Sequence, residues 1–234
     1  TSVTGVQTCA LPISKNEKEN CGIGFVANMK GRANHEIIRQ GIEVLNKLEH
    51  RGACGSDPLT GDGAGLLIQM PHKFFKSQCP KIDIELPEQG KYGTGLVFFP
   101  KDARIHSFLD IFNKIIKQEG LSLLGWRKVP VDNTTIGHVA REAEPEIWQP
   151  FIAQGENPID QEELERRLYK VRKLVGKEIH YAGEAEYFVS FYICSLSTRT
   201  FCYKGQLMSN QLETYFLDLK DPEIESALAL VHSR

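Results

Sequence analysis

Apolar and polar positions along the chain switch repeatedly between the period of a strand and that of a helix. At 21–27, Ile23, Phe25 and Ala27 alternate with Gly22, Gly24 and Val26, which predicts a short buried strand entered through Cys21. Beyond a turn at Lys30-Gly31, Asn34 can cap a helix starting at His35, with Glu36 in its first turn. Ile38, Gly41, Leu45 and Leu48 recur at helical spacing, Ile37, Ile42 and Val44 widen the stripe, and Arg39, Glu43 and Lys47 take the other side. The helix should stop near His50-Arg51-Gly52 and pack its stripe on the Cys21 strand. A buried strand at 66–70 ends at Pro71, and a helical turn at 72–77 carries Phe74 and Phe75. After a polar excursion at 79–91 come a strand at 93–99, an amphipathic helix at 103–119 and a strand at 121–130 with a basic edge, Arg127 and Lys128.

The second half is less regular. Residues 132–158 contain Pro145, Pro150, Gly155 and Pro158 and read as loop, with one short helical piece near 140–144 at most. Asp160 can cap a helix over 161–175 with Leu164, Leu168, Val171 and Val175 on one face, and its dense charge reads as a solvated face. Strands are predicted at 187–194 and 200–203, where Cys194 and Cys202 read as buried and inert. A polar connection at 207–215 leads to a final helix or strand at 224–231. Strands alternating with helices predict a layered α/β or α+β domain.

Composition narrows the function. The 234 residues, 41% hydrophobic, allow one large domain with a sizeable core. A net charge of −2 from 28 basic and 30 acidic residues, well mixed, offers no stripe for nucleic acid. No apolar run reaches the roughly 18 residues of a membrane helix. Six scattered cysteines without a C-x-x-C pair argue against a disulfide framework or a structural zinc, and for a reducing compartment. Residues 1–14 look like the translation of a sequencing-library adapter and are set aside, Cys9 with them. Thr1 is no initiator, and the apolar run before Arg234 has no cap, so the chain reads as a fragment.

Two stretches could carry chemistry. Cys21 is either a small buried hydrophobe or a nucleophile, and spacing alone does not choose. Five glycines fall within 52–65, in Gly52-Ala53-Cys54-Gly55-Ser56-Asp57-Pro58-Leu59-Thr60-Gly61-Asp62-Gly63-Ala64-Gly65. This is neither a P-loop nor an EF-hand, and loops of such length and composition are more often functional than not.

Five blocks in order then resemble the amidotransferase domain of the glutamate synthases. They are Cys21-Gly22-Ile23-Gly24-Phe25, His50-Arg51-Gly52-Ala53, Thr60-Gly61-Asp62-Gly63-Ala64-Gly65, Ser209-Asn210-Gln211-Leu212 and Ala229-Leu230-Val231-His232-Ser233-Arg234. The resemblance implies a class II glutamine amidotransferase with an α+β N-terminal-nucleophile hydrolase fold, an αββα four-layer sandwich, here incomplete. It implies a domain over 21–234, preceded by a propeptide remnant at 15–20 that is removed at the Asn20–Cys21 bond. Cys21 would be the nucleophile, with its own α-amine as proton carrier. Arg234 would grip the α-carboxylate of glutamine, and Arg51 would brace the site. His232 and Ser233 would be framework, and no separate catalytic histidine, such as His35, His50 or His232 in a papain-like scheme, would be needed.

The same resemblance implies no cofactor in this domain. The complete enzyme would use FMN and an iron–sulfur cluster, with NADPH or ferredoxin as electron donor. It would pass ammonia to 2-oxoglutarate, possess a small NADPH-oxidising subunit in some forms, and work in the cytoplasm or the plastid stroma. The family's Gly-His-Asn-Gly-type oxyanion motif would lie beyond Arg234, so these residues alone should be nearly inactive. The alternatives are an amidotransferase of the phosphoribosyl-diphosphate type, which the Thr60–Gly65 block disfavours, and a non-catalytic glutamine-sensing module.

Overall fold

The computed structural model describes residues 21–52, 57–101, 105–181 and 191–234, with the side chains of Arg51, His180 and Tyr181 left aside. The stretch at 15–20 expected to be a propeptide remnant, Cys54 and the first part of the strand predicted at 187–194 lie outside them. The fold is a mixture of helices and antiparallel sheets, α+β as expected.

The first sheet has the order β1-β9-β2-β8, from Gly22–Ala27, Leu228–Ser233, Ala64–Gln69 and Thr200–Gly205, all antiparallel. Helix α1, His35–Lys47, lies on one face, and Asn34 caps it through its Oδ1, which accepts from the Ile37 N–H at 3.1 Å. Its buried stripe is Ile37, Ile38, Gly41, Ile42 and Leu45. The face of β1 that meets α1 is the glycine face. A Cβ at Gly24 would lie 2.6 Å from Val44 Cγ1, so only glycine lets strand and helix approach this closely. The expected buried strand is therefore corrected. Ile23 and Phe25 point the other way and are 67% and 70% exposed, because the helix packs on the face of Gly22, Gly24 and Val26. Leu230, paired with Phe25, shares that open face.

The second sheet is built on β6, Glu146–Gln154, within the stretch expected to be loop. One edge of β6 pairs with β5, Leu121–Lys128. The other pairs with β3, Tyr92–Thr94, through 151–153 and with β4, Val97–Phe99, through 146–148. Gln149 and Pro150 face the break between β3 and β4, so a residue without an N–H is tolerated in a central strand. The single strand expected at 93–99 is split for the same reason. Strand β7, Tyr192–Ile193, completes the sheet beside β4.

Helices α3, Ile105–Gln118, and α5, Gln161–Tyr181, cover one face of this sheet with Phe108, Phe112, Leu164, Leu168 and Val171. The Asp160 carboxylate caps α5, accepting from the Glu163 N–H at 2.7 Å. The charged face of α5 is held by ion pairs: Arg167 with Glu163 within the helix, Lys170 with Glu119, and Glu162 with Arg199. Between the sheets lies a second core containing α2, His72–Gln78, where Phe75 meets Phe151 of one sheet and Phe201 of the other. Arg127, expected on a basic edge, is corrected to a core position. It is buried and donates two hydrogen bonds to Asp218, at 2.6 and 2.8 Å.

Candidate active site

Three of the five blocks meet at one end of the first sheet. Strand β9 runs between β1 and β2 and pairs Ser233 with both Gly22 and Ala64. Continuing the β1–β9 register by one residue sets Cys21 opposite Arg234. Directly opposed residues of an antiparallel pair point to the same face, so the half-buried Cys21 and the exposed Arg234 share the open face of the sheet. The Arg234 N–H donates to the Gly63 carbonyl at 2.9 Å, which fixes its backbone against the glycine loop whatever its side chain does.

The other blocks brace this corner. A short 3-10 helix, Glu49–Arg51, delivers Arg51 to it, and a Cβ on the following Gly52 would come 2.9 Å from Ser233 Oγ. Ser233 Oγ is 2.9 Å from Ser209 Oγ in a buried hydroxyl pair. Gln211 holds the loop from the other side, donating from Nε2 to the carbonyls of Leu59 and Thr135 at 3.0 and 2.9 Å, while its Oε1 accepts from the Met208 N–H. The predicted polar connection thus contains a 3-10 turn, Ser209–Gln211, and helix α6, Leu212–Tyr215.

In the sequence Asp57 is weighed only as the start of an EF-hand, which the loop is not. It accepts hydrogen bonds from the Leu59 N–H at 3.0 Å and the Thr60 hydroxyl at 2.9 Å, and it contacts His138 Nδ1 at 3.1 Å. The Leu59 backbone bond leads the effects that hold its carboxyl below the usual range. His138 begins helix α4, His138–Glu142, so Asp57 and Thr60 tie the loop to that helix. The only available signal was an Asp-Pro turn, which does not say what the carboxylate will hold.

Gly61 supplies a test of the loop's fit. A Cβ there would sit 2.3 Å from the Leu207 carbonyl carbon and 2.4 Å from Met208 N, both backbone atoms that cannot swing aside. Gly61→Ala is expected to cost about 1–3 kcal/mol by overpacking. Hydrogen exchange in the complete protein should show faster exchange confined to 57–65 and 207–211. Unchanged protection in both segments would show that the loop accommodates the methyl group.

The histidines are distributed differently. His35 bonds the Ile224 carbonyl at 2.9 Å near the far end of β1, and His50 bonds the Lys47 carbonyl at 2.9 Å. His232 is exposed and paired with Ile23, on the same face as Cys21 and two residues along the register. Among the described residues no three of His, Cys, Asp and Glu gather as metal ligands. No described helix is long and apolar enough to cross a membrane.

Known proteins share this pattern. The chain is 44% identical over 219 residues to "Glutamate synthase [NADPH] large chain" of Bacillus subtilis, covering 93% of this chain and 14% of that protein. It is 40% identical over 224 residues to "Glutamate synthase [NADH]" of Schizosaccharomyces pombe, covering 93% and 10%. It is 37% identical over 222 residues to "Ferredoxin-dependent glutamate synthase, chloroplastic" of Oryza sativa, covering 94% and 13%. The chain thus spans about a seventh or less of the length of these relatives. The family profile of the class-II glutamine amidotransferases matches residues 21–234, from the cysteine at the head of β1 to the arginine set opposite it. With that match over nearly the whole chain, and with the blocks folded together around Cys21, the protein belongs to the class-II glutamine amidotransferases.

Proposed function

We propose that this chain is the glutaminase part of a glutamate synthase, with Cys21 as its nucleophile. The observation that carries the reading is the β1–β9 register, which supports placing a thiol and a guanidinium on one open face at the end of two paired strands. In this scheme a leader ending at residue 20 is cleaved from a domain that begins at Cys21, and residues 1–14 are no part of the natural protein. The freed α-amine titrates near 7.7–8.0 in model compounds, so part of it is neutral base at neutral pH. It takes the thiol proton as sulfur attacks the glutamine δ-carbon, and returns a proton to the departing nitrogen. Ammonia leaves, a γ-glutamyl thioester remains, and water hydrolyses it to glutamate.

Arg234 binds the α-carboxylate of glutamine, since a guanidinium presents two parallel N–H groups to two oxygens. Arg51 braces the nucleophile's surroundings. The four-layer arrangement belongs to the same proposal: α1 covers one face of the first sheet, and Ile23, Phe25 and Leu230 on the other are suited to meet a further sheet. In the complete protein the ammonia would pass to 2-oxoglutarate in a synthase region, where FMN, an iron–sulfur cluster and NADPH or ferredoxin supply the reduction. The work would take place in the cytoplasm or, in a photosynthetic eukaryote, the plastid stroma.

Arg234 provides the test of substrate orientation. In the complete protein, Arg234→Ala should raise the KM for glutamine by about 30- to 1,000-fold, as losing a charge-assisted bidentate partner costs roughly 2–4 kcal/mol. Arg234→Lys should fall between, because an ammonium cannot make both parallel bonds. Steady-state glutaminase kinetics give the answer, and an unchanged KM in the alanine variant would remove Arg234 from the site.

A further inference from the structure

Two cysteines far along the chain from Cys21 meet where the two sheets adjoin. Cys194 follows β7 at the edge of the second sheet, and its N–H donates to the Leu96 carbonyl at 2.8 Å. Cys202 lies within β8, the edge strand of the first sheet, opposite Leu67. Cys194 Sγ donates to the Cys202 carbonyl oxygen at 3.8 Å, and Cys202 Sγ to the Tyr203 carbonyl oxygen at 3.9 Å, so the two side chains lie side by side. Cys194 is buried and Cys202 half-buried. Two cations are anchored around them. Arg172 Nε donates to the Ile193 carbonyl at 3.1 Å, and Lys204 Nζ donates to the Tyr192 hydroxyl at 3.2 Å.

The adjacent Cys202 side chain, with Lys204 and Arg172 behind it, outweighs burial and holds the Cys194 thiol below its ordinary range. The partner thiol of Cys202 is raised in return. Cys79 is the contrast: fully buried, with burial outweighing the nearby Arg127 charge, it is pushed up to about 11.

We propose that Cys194 and Cys202 are a site of reversible oxidation, closing to a disulfide that joins the two sheets. This replaces the expectation that both are inert. The oxidant is a peroxide. The Cys194 thiolate sulfur attacks one peroxide oxygen, the O–O bond breaks, and the leaving oxygen departs as water after protonation. The Cys202 sulfur then attacks the sulfenic sulfur of Cys194. The S–S bond forms, the S–O bond breaks, and the Cys202 proton leaves with that oxygen as a second water. Two thiols and one hydrogen peroxide thus give one disulfide and two waters, the thiols oxidised and the peroxide reduced.

The test uses the complete protein, reduced, treated with graded hydrogen peroxide and alkylated with iodoacetamide in denaturant. Trypsin cuts after Arg199, between the two cysteines, so a disulfide appears as two peptides joined in the mass spectrum and separated by dithiothreitol. Alkylation should be lost at Cys194 and Cys202 together while Cys79 stays alkylated. In Cys202→Ser the joined peptides should vanish and Cys194 should be trapped as a dimedone adduct of its sulfenic acid. The proposal is overturned if both thiols remain alkylated at peroxide that has oxidised the exposed Met29. It is equally overturned if Cys194 goes to sulfinic acid in the wild type with no joined peptide.

Discussion

Cys21→Ala is expected to abolish glutamine hydrolysis by the complete protein, lowering kcat by roughly 10^4-fold or more, the scale on which loss of a covalent nucleophile acts. The same variant should leave the leader attached, so mature mass and activity change together. Cys21→Ser is the sharper case, because a hydroxyl at the same position keeps the geometry while remaining a far weaker nucleophile at neutral pH. His232→Asn is its control. His232 shares the open face with Cys21 and is the histidine nearest to it by register, so a thiol–imidazole pair would make this change as damaging as Cys21→Ala. If the α-amine is the base, the His232 variant should keep kcat within about tenfold of wild type, well short of the 10^2–10^4-fold contributed by a general base. A processed protein that cleaves glutamine at full rate without Cys21 would refute the mechanism.

Asp218 should be the most costly position for stability. Its carboxylate takes two hydrogen bonds from Arg127 on β5 and lies 3.4 Å from the donating hydroxyl of Tyr203 on β8. Arg127 also donates to Gln149 Oε1 at 3.2 Å and stacks over Phe74 with 5.5 Å from Cζ to the ring centroid. Burial works against the Arg127 charge, but the bonds to Asp218 outweigh it and raise the guanidinium above its ordinary range. Asp218→Ala strands that charge in the core between the sheets, which costs about 3–5 kcal/mol. The expected readout is hydrogen exchange of the β5 and β8 amides in the complete protein, faster by about 10^2–10^3-fold where opening is local. Replacing both partners together, Arg127→Met with Asp218→Leu, should recover much of the loss, because no buried charge is then left unpaired. If the single and double variants exchange alike, the pair does not join the sheets as described.

The wider consequence of these two sites is a division of labour within the first sheet. The α1 face and the Arg127–Asp218 cluster hold the sheet in place, and the opposite face carries Cys21, His232 and Arg234. Glycine at position 24 makes this possible, since it brings α1 close where a side chain would clash with Val44.

Much of this was legible in the amino-acid sequence, because the signals were local. Asn34 before His35 and Asp160 before Gln161 named both helix starts, as a cap needs only a side chain three residues from an unpaired N–H. The stripe of α1 and the apolar faces of α3 and α5 followed from spacing within one element. Cys21, the Thr60–Gly65 block and Arg234 were picked out by their resemblance to a family, and the folded chain brings those blocks to one corner. Three things were decided only by packing across distant stretches. The chain around Pro150 is a central strand because β3 and β4 part opposite it, leaving no donor to miss. Arg127 is buried because Asp218, 91 residues on, supplies the countercharge. Ile23 and Phe25 are exposed because α1 lies against the face of Gly22, Gly24 and Val26. Periodicity states that two faces of a strand differ, but which face is covered depends on the neighbour, and that neighbour is set by the fold as a whole.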